Sequence, residues 1–180
     1  MAPDPESEPG RIITRFERLL VALARNEVDF CVVGGLAVVL NGYVRFTEDV
    51  DLLVNPDRRN LERMLAVLRQ WGEGWARELA PEDFPAQEGS IRVCESEFDL
   101  DIFVQMRGQT LTSFRPRLRH FVSGGVSIPY LSPEDLIALK EGSPREKDRW
   151  DVAALREIAA QPVPRPEGSR PTGHSSSSGP

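Results

Sequence analysis

Hydrophobic residues recur along the chain at the spacing of amphipathic helices in four stretches. The first helical pattern ends near Asn26, and the second starts at residues 55–57, where a capping side chain is followed by a proline. Gly72 stops the second pattern. The last two patterns begin at the pairs 132–133 and 143–144, each a serine followed by a proline. The chain therefore contains at least four helices.

Short apolar runs between these helices predict strands. The runs 91–94 and 98–104 are separated by three polar residues, which is typical of a β-hairpin. A short helical pattern closed by Gly42 joins two further runs. Residues 72–89 have no clear period and are predicted to form a loop of unknown role. Strands and helices alternate, so the fold class is α/β (α+β), with strands predicted at 29–33, 49–54, 91–94, 98–104 and 126–131.

Composition is consistent with one domain of ordinary size. The chain has 180 residues, of which 40% are hydrophobic. We expect the domain to span residues 11–160, between a disordered N-terminus (1–10) and a disordered tail (161–180) that has five prolines, five serines and three glycines. No run approaches the ~20 apolar residues that span a bilayer, and the first ten residues do not resemble a signal peptide.

The two cysteines bear on the compartment of the protein, and the net charge of −6 bears on its binding partners. Neither cysteine belongs to a C-x-x-C motif or a disulfide framework, so both are predicted to be small buried residues of a cytoplasmic protein. The charge argues against an extended, nonspecific grip on nucleic acid. A local basic patch is still a candidate, and its alternative is a solvated loop and helix face; its members are Arg107, Arg115, Arg117, Arg119 and His120.

Candidate chemistry is concentrated between residues 32 and 54. In the strand 49–54, Asp49 and Asp51 point to the same side because strand side chains alternate. Two carboxylates held side by side repel each other unless a cation lies between them. A hard divalent cation such as Mg²⁺ is the expected partner.

A Gly-Gly pair precedes this strand by a fixed distance. Gly34 and Gly35 follow the apolar run 29–33 and open the short helix. Glycines at a strand-to-helix turn allow backbone N–H groups to approach an anion, and a helix N-terminus favours a phosphate. Thirteen residues separate Gly35 from Asp49. The combination of the glycines with the two aspartates is far more specific than either motif alone.

This pattern resembles the signature of the nucleotidyltransferase fold, which includes DNA polymerase β. The runs VGGLA, NGY, RFTEDVDLLV and LSPEDLIALK are similar to small bacterial enzymes grouped with AbiEii-type toxins and minimal nucleotidyltransferases. The resemblance covers roughly residues 11–158. It implies a mixed β-sheet flanked by helices, with a short C-terminal helical segment.

The resemblance also implies a set of site residues. In the family a third acid lies on a neighbouring strand; Asp101 matches best, and Asp99 is the rival one pleat earlier. Asp49, Asp51 and Asp101 are then the catalytic and metal-binding residues, holding two Mg²⁺ ions, for which Mn²⁺ is a possible substitute. The predicted nucleotide-binding residues are Gly34, Gly35, Thr47 and Lys140, although Gly35 stands where many relatives have serine.

Two functions are compatible with these residues. The first is a metal-dependent nucleotidyltransferase that moves a nucleoside monophosphate from an NTP to a hydroxyl of a tRNA end, a protein or a small molecule. A cognate toxin or antitoxin is a further expected partner. The second is a catalytically inactive module of the same fold that binds a nucleotide or a partner protein. The full set of crowded acids favours the enzyme, because an inactive site has no chemical reason to keep them.

Overall fold

A computed structural model describes residues 14–72, 74–94 and 97–161. The predicted termini 1–10 and 161–180 lie outside this part of the chain, apart from Gln161. The helices and strands in chain order are α1 (Thr14–Arg25), β1 (Phe30–Val33), α2 (Gly34–Leu40), β2 (Asp49–Val54), α3 (Arg58–Leu68), β3 (Ser90–Cys94), β4 (Asp99–Phe103), α4 (Leu111–Phe114), β5 (Arg119–Ser123), β6 (Val126–Tyr130), α5 (Pro133–Lys140) and α6 (Glu146–Ala160).

The six strands form one mixed sheet with the order β3-β4-β2-β1-β6-β5. Two neighbouring pairs are parallel, β1 with β6 and β2 with β4, and the others are antiparallel. The mixed α/β class predicted from the alternating patterns is confirmed, and so is the hairpin of β3 and β4. The parallel pairing of β2 with β4 is the feature that later positions the site.

The core follows the alternation of the two central strands. All four residues of β1 are buried, whereas in β2 the alternate residues Val50 and Leu52 have no exposed surface and the aspartates between them are half-buried. Helix α1 packs against β6 and α3. Its Phe16 ring meets Phe98 edge to face, with 5.2 Å between the ring centroids. The core thus fixes one face of β2 and leaves the aspartates on the other.

Helix starts differ from the predicted ones in two places. The cap of α3 is Asp57, whose carboxylate accepts hydrogen bonds from the backbone N–H groups of Arg59 and Asn60. Pro56 therefore precedes the cap, so its predicted place in the first turn is wrong. Helix α6 begins at Glu146, after the Ser-Pro pair at 143–144. In α3 the side chain that binds the free N–H groups sets the start, not the proline.

Strand β5 was not apparent from the hydrophobic pattern, and it occupies part of the candidate basic patch. Arg117 pairs with the buried Asp135 at 2.6 Å, and Arg115 pairs with Asp29. Arg107 donates to the Glu141 carbonyl. These three arginines are therefore engaged individually with separate parts of the fold.

The loop 72–89 contains two 3-10 turns, Trp75–Glu78 and Pro81–Asp83. It contributes Ala76 and Phe84 to the core, and Arg58 of α3 pairs with its Glu82. The loop therefore covers the sheet beside α3. Within the described residues, no helix has the length and apolar character needed to cross a membrane.

Candidate functional site

Four aspartates meet on one face of the sheet because β2 and β4 run parallel in register. Asp49 lies opposite Asp99, and Asp51 lies opposite Asp101. Side chains that are opposite each other in register project to the same face, so the alternation that aligns Asp49 with Asp51 also adds the β4 aspartates. Asp101 is buried, with 5% of its surface exposed. Asp101 and Asp99, the two candidates for the third acidic residue, therefore lie on the same face, with Asp101 next to Asp51 and Asp99 next to Asp49.

Arg92 of β3 lies across this acidic group. It is opposite Asp101 in the sheet, and its Nε and Nη2 donate to the two Asp101 carboxylate oxygens at 3.1 and 2.6 Å. The same guanidinium reaches Asp99 at 3.2 Å and Asp49 at 3.9 Å. The hydrogen bond to Asp101 and the negative charges around it raise the pKa of Arg92 further above its usual value. Arg92 thus supplies positive charge to three of the four aspartates.

Asp51 is the aspartate that Arg92 does not contact. Burial, together with the charges of Asp101 and Asp49, raises its pKa from 3.8 to about 6. A hydrogen bond from the Gly35 backbone N–H and the charge of Lys140 offset only part of this rise. Ionised Asp51 is therefore the least compensated carboxylate of the group, and it is the position where an additional cation gains most.

Gly34 is required by the approach of Asp51. Its φ of +60° lies in the left-handed region, and a Cβ there would overlap the Asp51 carboxylate. The predicted close approach of the glycine turn to an anion is present, but the anion is the Asp51 side chain. The Gly35 N–H is a further partner of this carboxylate and partly offsets the rise in its pKa.

Gly35 makes room for a different side chain. A Cβ at this position would overlap Nη2 of Arg45 and would lie close to Oγ1 of Thr47. Thr47 itself donates a hydrogen bond to the Asp49 carbonyl at 3.3 Å, which ties the preceding loop to the start of β2. Position 35 is glycine here because the Arg45 guanidinium lies where a side chain would stand.

A buried charge network links this loop to the two C-terminal helices. Asp151 of α6 has no exposed surface, and its carboxylate lies 3.0 Å from Arg45 Nε and 3.0 Å from Lys140 Nζ. Lys140 also contacts Asp148 at 2.6 Å. Burial disfavours charge on Asp148, but hydrogen bonds from Lys140 and Ser143 outweigh it and hold the pKa of Asp148 below its usual value. Two cations and two carboxylates balance each other in this network.

A cavity of about 550 Å³ connects the acidic group with this network. Six of the predicted site residues line it: Gly34, Gly35, Asp49, Asp51, Asp101 and Lys140. Thr47 and Asp99 are not among its lining residues. Arg145 and Lys147, at the start of α6, also line it, and neither forms an ion pair with another described residue. The cavity is therefore acidic on the strand side and basic on the α6 side.

The acidic side has the ligand chemistry of a divalent cation site but not its closed geometry. Carboxylate oxygens are the ligands that Mg²⁺ prefers. Among the described residues, however, no three His, Cys, Asp or Glu side chains converge closely enough to enclose a metal ion. Arg92 occupies the two oxygens of Asp101 instead. The donor set fits Mg²⁺ provided that Arg92 moves away from Asp101.

Sequence patterns gave no indication of Arg45, Arg92 or Asp151 as site residues. Arg92 lies on an edge strand whose hairpin with β4 was predicted, but the register that places it opposite Asp101 was not. Asp151 is a charged residue in an amphipathic helix, where solvent exposure is the ordinary expectation. The glycine at position 35 leaves space that the Arg45 guanidinium fills, but this is recognisable only in the structure.

Comparisons with known proteins identify the family of the chain. Residues 11–160 match the sequence model of a family described as "Nucleotidyltransferase of unknown function (DUF6036)". No curated protein sequence matches the chain significantly.

Three solved structures share the fold at low identity. The lincosamide antibiotic adenylyltransferase LnuA, bound to lincomycin, is 18% identical with a TM-score of 0.56, covering 80% of this chain and 96% of that one. A Thermotoga maritima protein described as a candidate nucleotidyltransferase is 12% identical with a TM-score of 0.51, covering 84% and 94%. The antibiotic-resistance factor ANT(2'')-Ia is 14% identical with a TM-score of 0.50, covering 84% and 86%. The predicted nucleotidyltransferase fold is confirmed, and the AbiEii-type subgroup stays a prediction.

Replacing Asp51 with asparagine is expected to stabilise the metal-free protein at pH 8. The folded pKa of Asp51, about 6, lies above the ordinary 3.8. The native state therefore binds more protons between these values, and stability falls as the pH rises through them. The gain at pH 8 is on the order of 2 kcal/mol, measured by urea denaturation in EDTA. The gain should shrink as the pH falls from 6 toward 4, and the exposed Glu48→Gln is the control. A loss of stability at pH 8 would contradict this account.

Asp151→Asn is expected to destabilise the fold by about 3 kcal/mol in urea denaturation, because it leaves buried cations without their partner. The side chains of Arg45 and Lys140 are only 11% and 13% exposed. Glu141→Gln is the matched control, because Glu141 pairs at the surface with Arg156 of α6, the helix that contains Asp151. This substitution should lower the free energy of unfolding by less than about 1 kcal/mol. Equal effects of the two changes would show that the Asp151 network contributes little.

Proposed function

The chain belongs to this family of nucleotidyltransferases, and we propose that it transfers a nucleoside monophosphate from an NTP to an acceptor hydroxyl. The observation that carries the proposal is the parallel register of β2 and β4, which places Asp51 beside Asp101 at the Gly34 turn. In the reaction, the acceptor oxygen bonds to the α-phosphorus while the bond to the bridging oxygen of pyrophosphate breaks. Such chemistry needs positioning and charge neutralisation more than covalent help from the protein.

Asp49, Asp51 and Asp101 would hold two Mg²⁺ ions, or Mn²⁺ in their place. These ions supply charge neutralisation of the phosphoryl oxygens and of the attacking and leaving oxygens. The raised pKa of Asp51 supports the assignment, because burial and the charges of Asp101 and Asp49 disfavour its ionised form and the charge of Lys140 offsets only part of this effect. Asp101 lies beside Asp51 and accepts the proton of the acceptor hydroxyl in this proposal.

The basic side of the cavity suits the triphosphate. Arg145 and Lys147 line it from the start of α6, and Lys140 lies between them and the aspartates with its charge shared by Asp148 and Asp151. In this proposal Lys140 binds the NTP and Thr47 holds the β2 start, on which Asp49 sits. The NTP then lies with its phosphates toward α6 and its α-phosphorus at the aspartates.

The acceptor is one of three classes: a small molecule, a protein hydroxyl or a tRNA end. Arg107, Arg115 and Arg117 are bound individually to acids and carbonyls, which favours an acceptor without an extended phosphate backbone. The solved neighbours act as a guide to probes only, so lincomycin and an aminoglycoside belong among the small molecules tested. If the acceptor is a protein, it is a cognate toxin or antitoxin in the cytoplasm.

Asp49→Asn and Asp101→Asn are each expected to reduce transfer by at least about a thousandfold, because each would remove a carboxylate ligand of the Mg²⁺ ions that neutralise the reacting phosphate. The assay uses each α-³²P-labelled NTP with Mg²⁺ or Mn²⁺ and, separately, total tRNA, cell protein or small molecules. Label in one fraction identifies the acceptor class. Glu48→Gln, which changes an exposed acid next to Asp49, is the matched control and should keep full activity.

Full activity of the Asp49 or Asp101 variant would overturn the assignment of those residues. If no fraction is labelled while an NTP still raises the melting temperature of the wild type, the alternative function applies. The chain is then a nucleotidyltransferase-fold module that binds a nucleotide or a partner protein without catalysis.

Arg92→Gln is expected to raise the affinity for Mn²⁺ about tenfold, because the metal no longer competes with charged hydrogen bonds to Asp101. Free Mn²⁺ is measured by electron paramagnetic resonance during titration of the protein without nucleotide. Arg58→Gln is the control, since Arg58 forms comparable ion pairs with Glu62 and Glu82 away from the cavity. Unchanged Mn²⁺ affinity in Arg92→Gln would contradict a metal site at Asp101.

A further inference from the structure

The Arg45 guanidinium has one edge anchored and one edge open. Its Nε faces the buried carboxylate of Asp151 at 3.0 Å, and its Nη1 donates to the Phe46 carbonyl at 3.3 Å. Among the described residues none accepts a hydrogen bond from Nη2. That nitrogen lies over Gly35, where a Cβ would overlap it, and Arg45 lines the cavity. The open edge therefore faces the space beside the glycine turn.

The anchored edge gives this guanidinium a fixed place. Asp151 is fully buried, and the Arg45 side chain is only 11% exposed, so the surrounding protein restricts the motion of both side chains. An arginine held in this way loses little conformational freedom when it binds an anion. Its remaining N–H groups match the geometry of phosphate oxygens.

Gly35 strengthens this interpretation. The backbone N–H of Gly35 donates to Asp51, and a glycine has no side chain to offer to an anion. Position 35 therefore offers an anion no side-chain donor. Arg45 Nη2 lies in the volume that a side chain there would occupy, so it is the donor available at this point of the cavity.

We propose that Arg45 binds the triphosphate of the NTP in the place of a side chain at position 35, with Asp151 as its positioning residue. The proposal rests on the proposed function and adds a phosphate-binding residue to it. It explains why a glycine stands at position 35: a larger residue and the guanidinium exclude each other. It also explains how α6, which is distant in sequence from the glycine turn, takes part in the site.

The test is a double-mutant cycle on Gly35 and Arg45 with a probe that has no base and no transferable nucleotide. Inorganic tripolyphosphate is titrated calorimetrically, in Mg²⁺, into the wild type, Gly35→Ser, Arg45→Ala and the double variant. Each single change is expected to weaken binding ten- to a hundredfold, the usual range for one charged hydrogen bond. The double variant should bind no more weakly than Arg45→Ala, because the serine then fits and offers its hydroxyl.

Controls separate binding from folding. Arg25→Ala removes an exposed arginine that donates to the Gly124 carbonyl and does not line the cavity, and should bind tripolyphosphate as the wild type does. If Arg45→Ala fails to fold, Gly35→Ser alone decides, because the φ of Gly35 lies outside the left-handed region and the added group meets only the side chains of Arg45 and Thr47, not the backbone.

Wild-type binding by Arg45→Ala, strictly additive losses in the double variant, or no tripolyphosphate binding by the wild type would each overturn the proposal. These outcomes are independent of catalysis. Transfer activity in the wild type with unchanged tripolyphosphate affinity in Arg45→Ala would leave the proposed function standing and refute Arg45. If the cycle shows a coupled loss of tripolyphosphate binding but the wild type transfers no nucleotide to any acceptor, Arg45 stands as a phosphate-binding residue and the proposed function is refuted.

Discussion

Repulsion between carboxylates on two parallel strands is the constraint on which the site depends. In-register pairing of β2 with β4 places four aspartates on one face, and like charges opposite each other in a sheet are unfavourable. The chain does not avoid this cost. It places Arg92 against three of these aspartates and leaves Asp51 with a raised pKa. Such an arrangement is a reservoir of unfavourable free energy that a divalent cation can relieve, which is a physical reason for a strained acidic group to bind metal.

The two glycines of the turn make room for neighbouring side chains, a role that the sequence did not predict. From the sequence, both glycines were predicted to expose backbone N–H groups to phosphate. In the structure Gly34 admits the Asp51 carboxylate, and Gly35 admits the Arg45 guanidinium. The turn thus brings an acid and a base to adjacent places by having no side chains of its own. The Gly35 backbone N–H also favours the ionised form of Asp51, so the turn acts on the acidic side of the cavity as well as on the basic side.

Sequence patterns could predict what depends on local periodicity. The alternation in β2 places Asp49 and Asp51 together, and the hairpin of β3 with β4 follows from two apolar runs. Strand order is different, because it depends on which long-range pairings bury the most apolar surface, and no local pattern records this. Arg92 and Asp151 were therefore missed, and β5 was missed because its buried and exposed positions include Arg119 and His120. The choice between Asp99 and Asp101 likewise needed the register.

The separation of charge within the cavity explains why the C-terminal helices are part of the catalytic domain and not an appendage. The aspartates are fixed by the sheet, whereas the cations opposite them come from α5, α6 and the loop before β2. If these elements only packed on the sheet, their cations would avoid burial. Instead Asp148 and Asp151 hold Lys140 and Arg45 inside the fold. A fixed set of cations at a fixed distance from fixed carboxylates needs little reorganisation when a charged substrate arrives, and low reorganisation is the main advantage that a protein site has over water. In the proposed function, the packing of α6 on α5 is therefore as much a determinant of phosphate binding as the glycine turn itself.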